Sequence, residues 1–371
     1  MRRFELGMSL DYAGSWEVVD AVREFFQNAI DEEKENPENK MSFLYNESEE
    51  VLTIGNLKSK LTPRTLLLGV SSKRGNKGLI GEHGEGYKVA TVVLVRNGVT
   101  VNIYNNESKE VWTSKVVNSK RYGESVVCFD IEKKLFSKKE NLVIELVGIT
   151  REMYDSIVES NLHLQEDLGT VVQSSCGRIL EDPRYSGKIF VEGLYVCTKG
   201  IIEKGYDFNA SEISLDRDRV LVDTFDLKFA ISNMYIDVGD SEYISKNIKS
   251  KDLEYIASRL QFRSEDNLIQ NVANRVYSDF LSSYGEDAIP VDTAEEFNFV
   301  SNNGGKAVMV ESQVYSTIKL GNNDLYKYLE VDDVELKFNN WVARNGGLLG
   351  RKEVNELLEL WKLKGRKVDE E

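Results

Sequence analysis

Positive charge is what this chain has least to spare. Against 62 Asp and Glu it carries 47 Lys and Arg, a formal net charge of −15 with a pI near 4.9. Phosphate backbones are held by surplus Lys and Arg, so a generic nucleic-acid binder is excluded and no direct nucleic-acid partner is expected. Only one local basic patch stands out, Lys73, Arg74, Lys77 and Lys88. Cysteine is as scarce: Cys128, Cys176 and Cys197 are odd in number, widely spaced and free of any C-x-x-C pair. That excludes a disulfide framework and a thiolate zinc site and fits a reducing compartment. With His83 and His163 the only histidines, a His-based metal centre is excluded too. No apolar run reaches the 18 residues that span a bilayer, and no apolar h-region follows Met1-Arg2-Arg3-Phe4-Glu5. The expectation is a cytosolic chain with no membrane partner. Four prolines and no Pro/Gly/Ser-rich linker leave no tether, so the two domains that 371 residues allow should pack together. No fixed-period repeat is present, which removes solenoids and propellers.

From Ser15 onward, Val18, Val22, Phe25, Phe26, Ala29 and Ile30 recur at the spacing of an amphipathic helix, with Ser15 the expected N-cap and the charged run around Pro37 the expected end. Met41–Tyr45 and Val51–Ile54 read as a hairpin. A polar loop studded with glycine runs from Gly69 to Gly86, and Val89–Val95 reads as a helix. Val99–Tyr104 and Leu142–Val147 read as further strands. The order predicts an α+β sandwich with helices on one face over residues 1–180. Residues 181–371 are expected to form a second α/β domain with a helical C-terminal part. It would hold strands at Lys188–Val191, Leu194–Cys197 and Lys306–Val310, and helices at Leu253–Leu260, Leu268–Leu281 and Arg351–Leu363.

Glu24, Asn28 and Asp31 stand at i, i+4 and i+7, one face of that first helix. A neutral amide oxygen suits Mg²⁺ and leaves room for phosphate oxygens and water. A carboxylate one turn away can orient or deprotonate the water that attacks a γ-phosphate. On spacing alone the same face reads equally as a solvated polar surface. Two later pieces change the weighing: Leu52-Thr-Ile-Gly-Asn56 closing the hairpin, and Gly81-Glu-His83-Gly84-Glu85-Gly86-Tyr-Lys88 opening a helix. Glycines at a loop-to-helix junction let backbone N–H groups converge on an anion, and the helix dipole adds to this. Ser72, Lys73 and Lys88 supply further donors.

In this order the motifs resemble those of the GHKL superfamily of gyrase B subunits, large heat-shock chaperones, sensor histidine kinases, MutL-type and MORC proteins. Arg23-Glu24-Phe-Phe-Gln-Asn28-Ala-Ile-Asp31-Glu32 is similar to its N-box, in the gyrase wording. Gly81-Glu-His-Gly84-Glu-Gly86 is similar to its glycine lid, and Lys88 matches a lysine of MORC and MutL-like forms. With Tyr12 and Trp16 before it, the N-box is also similar to that of stand-alone ATP-binding proteins of phages and mobile elements. Over residues 15–148 the resemblance implies the GHKL (Bergerat) fold and ATP with Mg²⁺ as ligands. It implies Glu24 as general base, Asn28 as the metal ligand, and Asp31 as a support for water and the base side. A transducer-like second half would bring a basic residue to the γ-phosphate, with Lys199, Arg217 and Arg219 as candidates. Paired Asp and Arg in that segment read equally as a surface network. The chain departs from the family where adenine is read: Asn56 stands for an Asp, Lys58 and Lys60 for two glycines, and Asn141-Leu142 for Gly-Thr. An Asn carbonyl accepts from an amino group, but its NH₂ equally donates to a carbonyl, so both bases stay open. The expected function is Mg²⁺-dependent ATP hydrolysis with lid closure and a domain or homodimer rearrangement. The alternative is a nucleotide-binding regulator of a protein partner with negligible hydrolysis. Histidine kinase is disfavoured, since His83 lies inside the lid motif.

Overall fold

The computed structural model describes residues 1–66, 86–215, 224–263, 266–302, 304–322 and 351–364. The expected Ser72, Lys73, Gly81, His83, Gly84, Glu85, Arg217 and Arg219 lie outside the described residues. The chain is a mixed α/β protein that divides into two compact units, Met1–Leu268 and Ile269–Glu371.

The first unit is built on a fully antiparallel seven-stranded sheet in the order β1-β6-β5-β4-β7-β3-β2. Its strands are β1 (Arg2–Ser9), β2 (Met41–Asn46), β3 (Val51–Asn56), β4 (Thr100–Asn105), β5 (Glu110–Asn118), β6 (Ser125–Lys133) and β7 (Leu142–Val147). Alternation sorts the side chains to two faces. Leu52 and Ile54, Val101 and Ile103, Trp112, Val127, Phe129 and Ile131, and Ile144 and Leu146 form one buried cluster with α1 (Val18–Glu35) and α2 (Gly86–Arg96). The helices therefore cover one face, as the sequence predicts. β1, β5 and β6 escape the sequence reading. Strand β6 is buried on both faces over Val126–Ile131, so it lacks the polar alternation that marks a half-exposed strand.

Helix α1 starts later than expected. The residue before it is Glu17, not Ser15, and the Glu17 N–H donates to Asp20 Oδ2 at 3.0 Å. An acidic side chain in the first turn thus does the capping that Ser15 was expected to do, because residues 10–15 are still in turns. The helix ends at Glu35, with Asn36 extended ahead of Pro37, as the steric demand of proline on the preceding residue requires.

After α3 (Arg151–Glu159), a five-stranded sheet runs in the order β11-β10-β12-β9-β8. It comprises β8 (Val171–Ser174), β9 (Gly177–Leu180), β10 (Lys188–Val191), β11 (Leu194–Thr198) and β12 (Gly205–Phe208). α4 (Thr224–Val238), α5 (Ser241–Asn247) and α6 (Ile256–Arg263) follow. Buried Asp252 joins sheet to helices, accepting from Tyr206 Oη at 2.6 Å and from the Glu203 N–H at 2.9 Å. The second unit takes in most of α7 (Asp266–Tyr284). It pairs β13 (Ala288–Val291) in parallel with β14 (Lys306–Met309) through α8 (Ala294–Asn302), and adds α9 (Ser312–Gly321) and α10 (Arg351–Lys364). No helix among the described residues is long and apolar enough to cross a membrane.

On the face of the seven-stranded sheet away from the helices, Arg3 stands directly opposite Asp130, and its Nε donates to Oδ1 at 2.8 Å. Lys115 pairs with the other carboxylate oxygen. The hydrogen bond from Arg3, with that from Lys115, holds the Asp130 carboxyl at about 2. A folded-state value below the unfolded one near 3.9 means a contribution to stability that is present above about pH 4 and lost as pH falls towards 2. We expect Asp130→Asn to lower the melting temperature at pH 7 and the gap from wild type to close between about pH 4 and pH 2. A constant gap across that window in pH-resolved thermal melts would refute the pairing's role.

Candidate functional site

The heart of the site is α1 where it meets the start of α2. Glu24 is 7% exposed and Asp31 fully buried, although both lie on the polar side of an amphipathic helix. A solvated face would leave them wet, so the surface reading does not hold for Glu24 and Asp31, while Asn28 is half-buried. What covers Glu24 includes the first residue of α2: a Cβ built on Gly86 would stand 2.3 Å from Glu24 Oε2 and 3.3 Å from its carboxyl carbon. A larger residue at this position would have to push the Glu24 carboxylate aside. The N-terminus of α2 is thereby laid against a carboxylate, the sign of charge that a helix N-terminus favours.

Two contacts fix α2 in that register. The Tyr87 ring meets the Phe25 ring edge-on at 5.1 Å, and burial pushes its hydroxyl well above the usual phenol range, with Glu32 adding to this. At the other end, the Arg96 guanidinium gathers carbonyls of the segment ahead of α1. It donates to Tyr12 O at 2.9 Å, Ala13 O at 2.8 Å and Trp16 O at 2.6 Å. Lys88, in the first turn of α2, is fully buried. A buried ammonium is tolerated only with opposite charge or strong acceptors to hold it.

One turn along α1, Asn28 Nδ2 donates to Glu24 O at 2.7 Å. That bond settles the amide's orientation, because only the nitrogen can face a carbonyl. Its Oδ1 carries no hydrogen bond among the described residues. A hard cation accepts such a neutral oxygen as ligand. No group of three or more His, Cys, Asp or Glu side chains placed to hold a metal occurs among the described residues.

At the far end of α1, β3 closes on Asn56. This residue is buried and paired across the sheet with Met41 and Leu142. Its Nδ2 donates to Ala29 O at 3.0 Å and reaches Asn39 O at 3.4 Å. Both NH₂ contacts are to carbonyls, so the amide faces one way only, its nitrogen towards Ala29 and Asn39. The next residues are held by Asn39, which the sequence reading missed because it sits in a charged loop. Its Oδ1 accepts from the Lys58 N–H at 2.6 Å and the Ser59 N–H at 3.2 Å, and its Nδ2 donates to Ser59 Oγ at 2.7 Å. Ser59 Oγ in turn donates to Glu32 Oε2 at 2.9 Å. Lys58 and Ser59 are thus tied down through their backbone N–H groups by a side chain.

The structure thus brings Glu24, Asn28, Asp31, Asn56 and Gly86 together along α1. Lys199 follows β11, with its N–H donating to Gly187 O at 2.9 Å, and no hydrogen bond or ion pair among the described residues joins it to α1.

Removing the Asn39 amide would orphan the Lys58 and Ser59 donors. Loss of a buried hydrogen-bond partner costs about 1–3 kcal/mol, so Asn39→Ala should lower the unfolding free energy by that amount in urea titrations. A change below about 0.5 kcal/mol, the usual size for a surface site, would contradict this role.

No family model matches the chain. A protein of Mycoplasma pneumoniae described as uncharacterized is 26% identical over 236 residues, covering 59% of this chain and 90% of its own length. Among solved structures, the ATPase region of Saccharomyces cerevisiae topoisomerase II superposes with a TM-score of 0.35 at 10% identity, over 48% of this chain. The same region bound to ICRF-187 (dexrazoxane) gives the same values. The chain spans 62% of the length of those two structures.

Proposed function

We propose that the part of the chain built on the seven-stranded sheet binds a nucleoside triphosphate along α1, phosphates at the Glu24–Gly86 end and base at the Asn56 end, and hydrolyses it with Mg²⁺. The approach of Gly86 to the Glu24 carboxylate carries this reading. It sets a buried carboxylate against a helix N-terminus, which is where phosphate charge is stabilised. The motif order in the sequence supports the same reading.

In this scheme Glu24 orients the attacking water and takes its proton. Asn28 offers Oδ1 to the metal, its NH₂ being occupied by Glu24 O. Mg²⁺ bound there would neutralise charge on the phosphates. Lys88 contributes positive charge at the start of α2, and Asp31 braces the water side. Ser72, Lys73, Gly81, His83, Gly84 and Glu85 enter through the family resemblance alone, as a lid over the phosphates, and so do Arg217 and Arg219. Lys199 enters as the transducer-side cation. The five-stranded sheet takes the transducer-like role, with turnover driving a domain or homodimer rearrangement.

The Asn56 amide sharpens the choice of base. With Nδ2 committed to Ala29 O and Asn39 O, what it offers a ligand is an acceptor. An acceptor suits an exocyclic amino group such as that of adenine and opposes a carbonyl at the same place; with the motif order of the sequence, we take ATP as the substrate.

Glu24→Ala should cut ATP turnover by about 10²–10⁴-fold, the usual worth of a general base, and leave the thermal shift with ATP and Mg²⁺ intact. At 100 times Kd that shift corresponds to about 2.7 kcal/mol. Wild-type turnover retained in this variant would sink the assignment, and ATP binding without any turnover in the wild type would favour the non-hydrolysing regulator. Gly86→Ala should give a folded protein, since the clash falls on the movable end of a side chain. Turnover should drop about 10²-fold, because misplacement by about 1 Å costs that much. Unchanged kcat for Gly86→Ala would remove Gly86 from the site.

A further inference from the structure

The turn between β10 and β11 is strained at one residue. Val191 pairs with Leu194, leaving Glu192 and Gly193 as a two-residue hairpin turn, and both have positive φ, 54° and 78°. Such turns favour Asn-Gly or Gly-Gly. Gly193 answers the need: a Cβ there would stand 2.6 Å from His163 Nε2. Glu192 does not, because a side chain with a Cβ is disfavoured in the left-handed region. A strained residue persists only where its surroundings over-determine it.

Glu192 is over-determined on every side. Its N–H donates to Phe208 O at 2.8 Å. Its carbonyl is 2.8 Å from His163 Nε2, which must be the donor of that pair. Its Oε1 accepts from the Ala210 N–H at 2.8 Å, while Oε2 pairs with Lys34 Nζ in the last turn of α1. The neighbouring Gly193 N–H is held by buried Asp207 at 2.6 Å. Glu192 therefore links the helix that carries the candidate site to the five-stranded sheet, using both carboxylate oxygens. Neither Gly nor Asn, the residues the turn prefers, is long enough to do both. The same hairpin touches α1 again where Arg23 Nη1 reaches Tyr195 O at 3.5 Å. Arg23 and Lys34 are roughly 16 Å apart along the helix at 1.5 Å per residue, and Glu24, Asn28 and Asp31 lie between them.

We infer that Glu192 is a positioning residue for the nucleotide site. It holds the C-terminal half of α1, and with it Asn28 and Asp31, in register against the β10–β11 hairpin. Its strained backbone is tolerated because of that link. The inference rests on the nucleotide reading above for its functional half and on geometry alone for its structural half.

Glu192→Gly separates the two roles that Glu192 combines. Glycine suits the positive φ, so a residue that served the turn alone would leave the protein as stable or more so, with α1 unchanged. In the full-length chain we expect instead that amides of residues 31–35 exchange about tenfold faster without nucleotide, as local opening becomes easier. The Kd for ATP with Mg²⁺, by calorimetry, should rise about fivefold, the lower end of typical site-to-site coupling. Lys34→Met should do the same, and the double variant should be no worse than either single one, because both break one link. Unchanged exchange and Kd in Glu192→Gly, or additive effects in the double variant, would overturn the inference. If the wild type binds no nucleotide, the nucleotide reading falls while the exchange comparison still decides whether Glu192 holds α1.

Discussion

The contact on which the rest of the site depends is the one between a carboxylate and a missing side chain. Gly86 lets α2 begin against Glu24, and this sets how two helices share one face of the seven-stranded sheet. Phe25 with Tyr87, and Arg96 with the carbonyls before α1, hold the same register from either side. With α1 and α2 so fixed, Asn28 and Asp31 follow at helical spacing and Asn56 is brought up beneath Ala29. None of these positions is adjustable independently of the others.

A second principle recurs in the polar contacts. Amides here are oriented by what their nitrogens must face. Asn28 faces Glu24 O, Asn56 faces Ala29 O, and Asn39 divides its two ends between backbone donors and Ser59. Asn39 uses both ends, while the oxygens of Asn28 and Asn56 make no hydrogen bond among the described residues. Exposed ion pairs such as Arg151 with Asp155 or Lys246 with Glu242 add little by comparison, because solvent screens them. Glu192 differs in being mostly buried and in holding two elements at once.

Legibility from sequence followed periodicity. α1, α2, β2, β3, β7, β10, β11 and β14 show a clear 3.6- or 2-residue rhythm or a bounded apolar run, and their residues were readable in advance. β6 is buried on both faces, and β9 and β12 carry Arg178 and Asp207 within four residues, so neither a rhythm nor an apolar run shows. The N-cap of α1 stands two residues beyond Ser15, the better capping residue in isolation, because Glu17 and Asp20 together cap the helix that forms.

The sequence by itself determined the helical face Glu24–Asn28–Asp31 and the ordering of the motifs, since helix geometry and residue chemistry are local. Only the tertiary structure decided that Glu24 and Asp31 are buried, that Gly86 meets Glu24, and that the Asn56 nitrogen faces Ala29. Those depend on which carbonyls and which helix end arrive from residues distant in the chain. The role of Glu192 belongs to the same class. Its strain is a property of a turn, but its partner Lys34 lies 158 positions earlier in the sequence, and no local pattern joins the two.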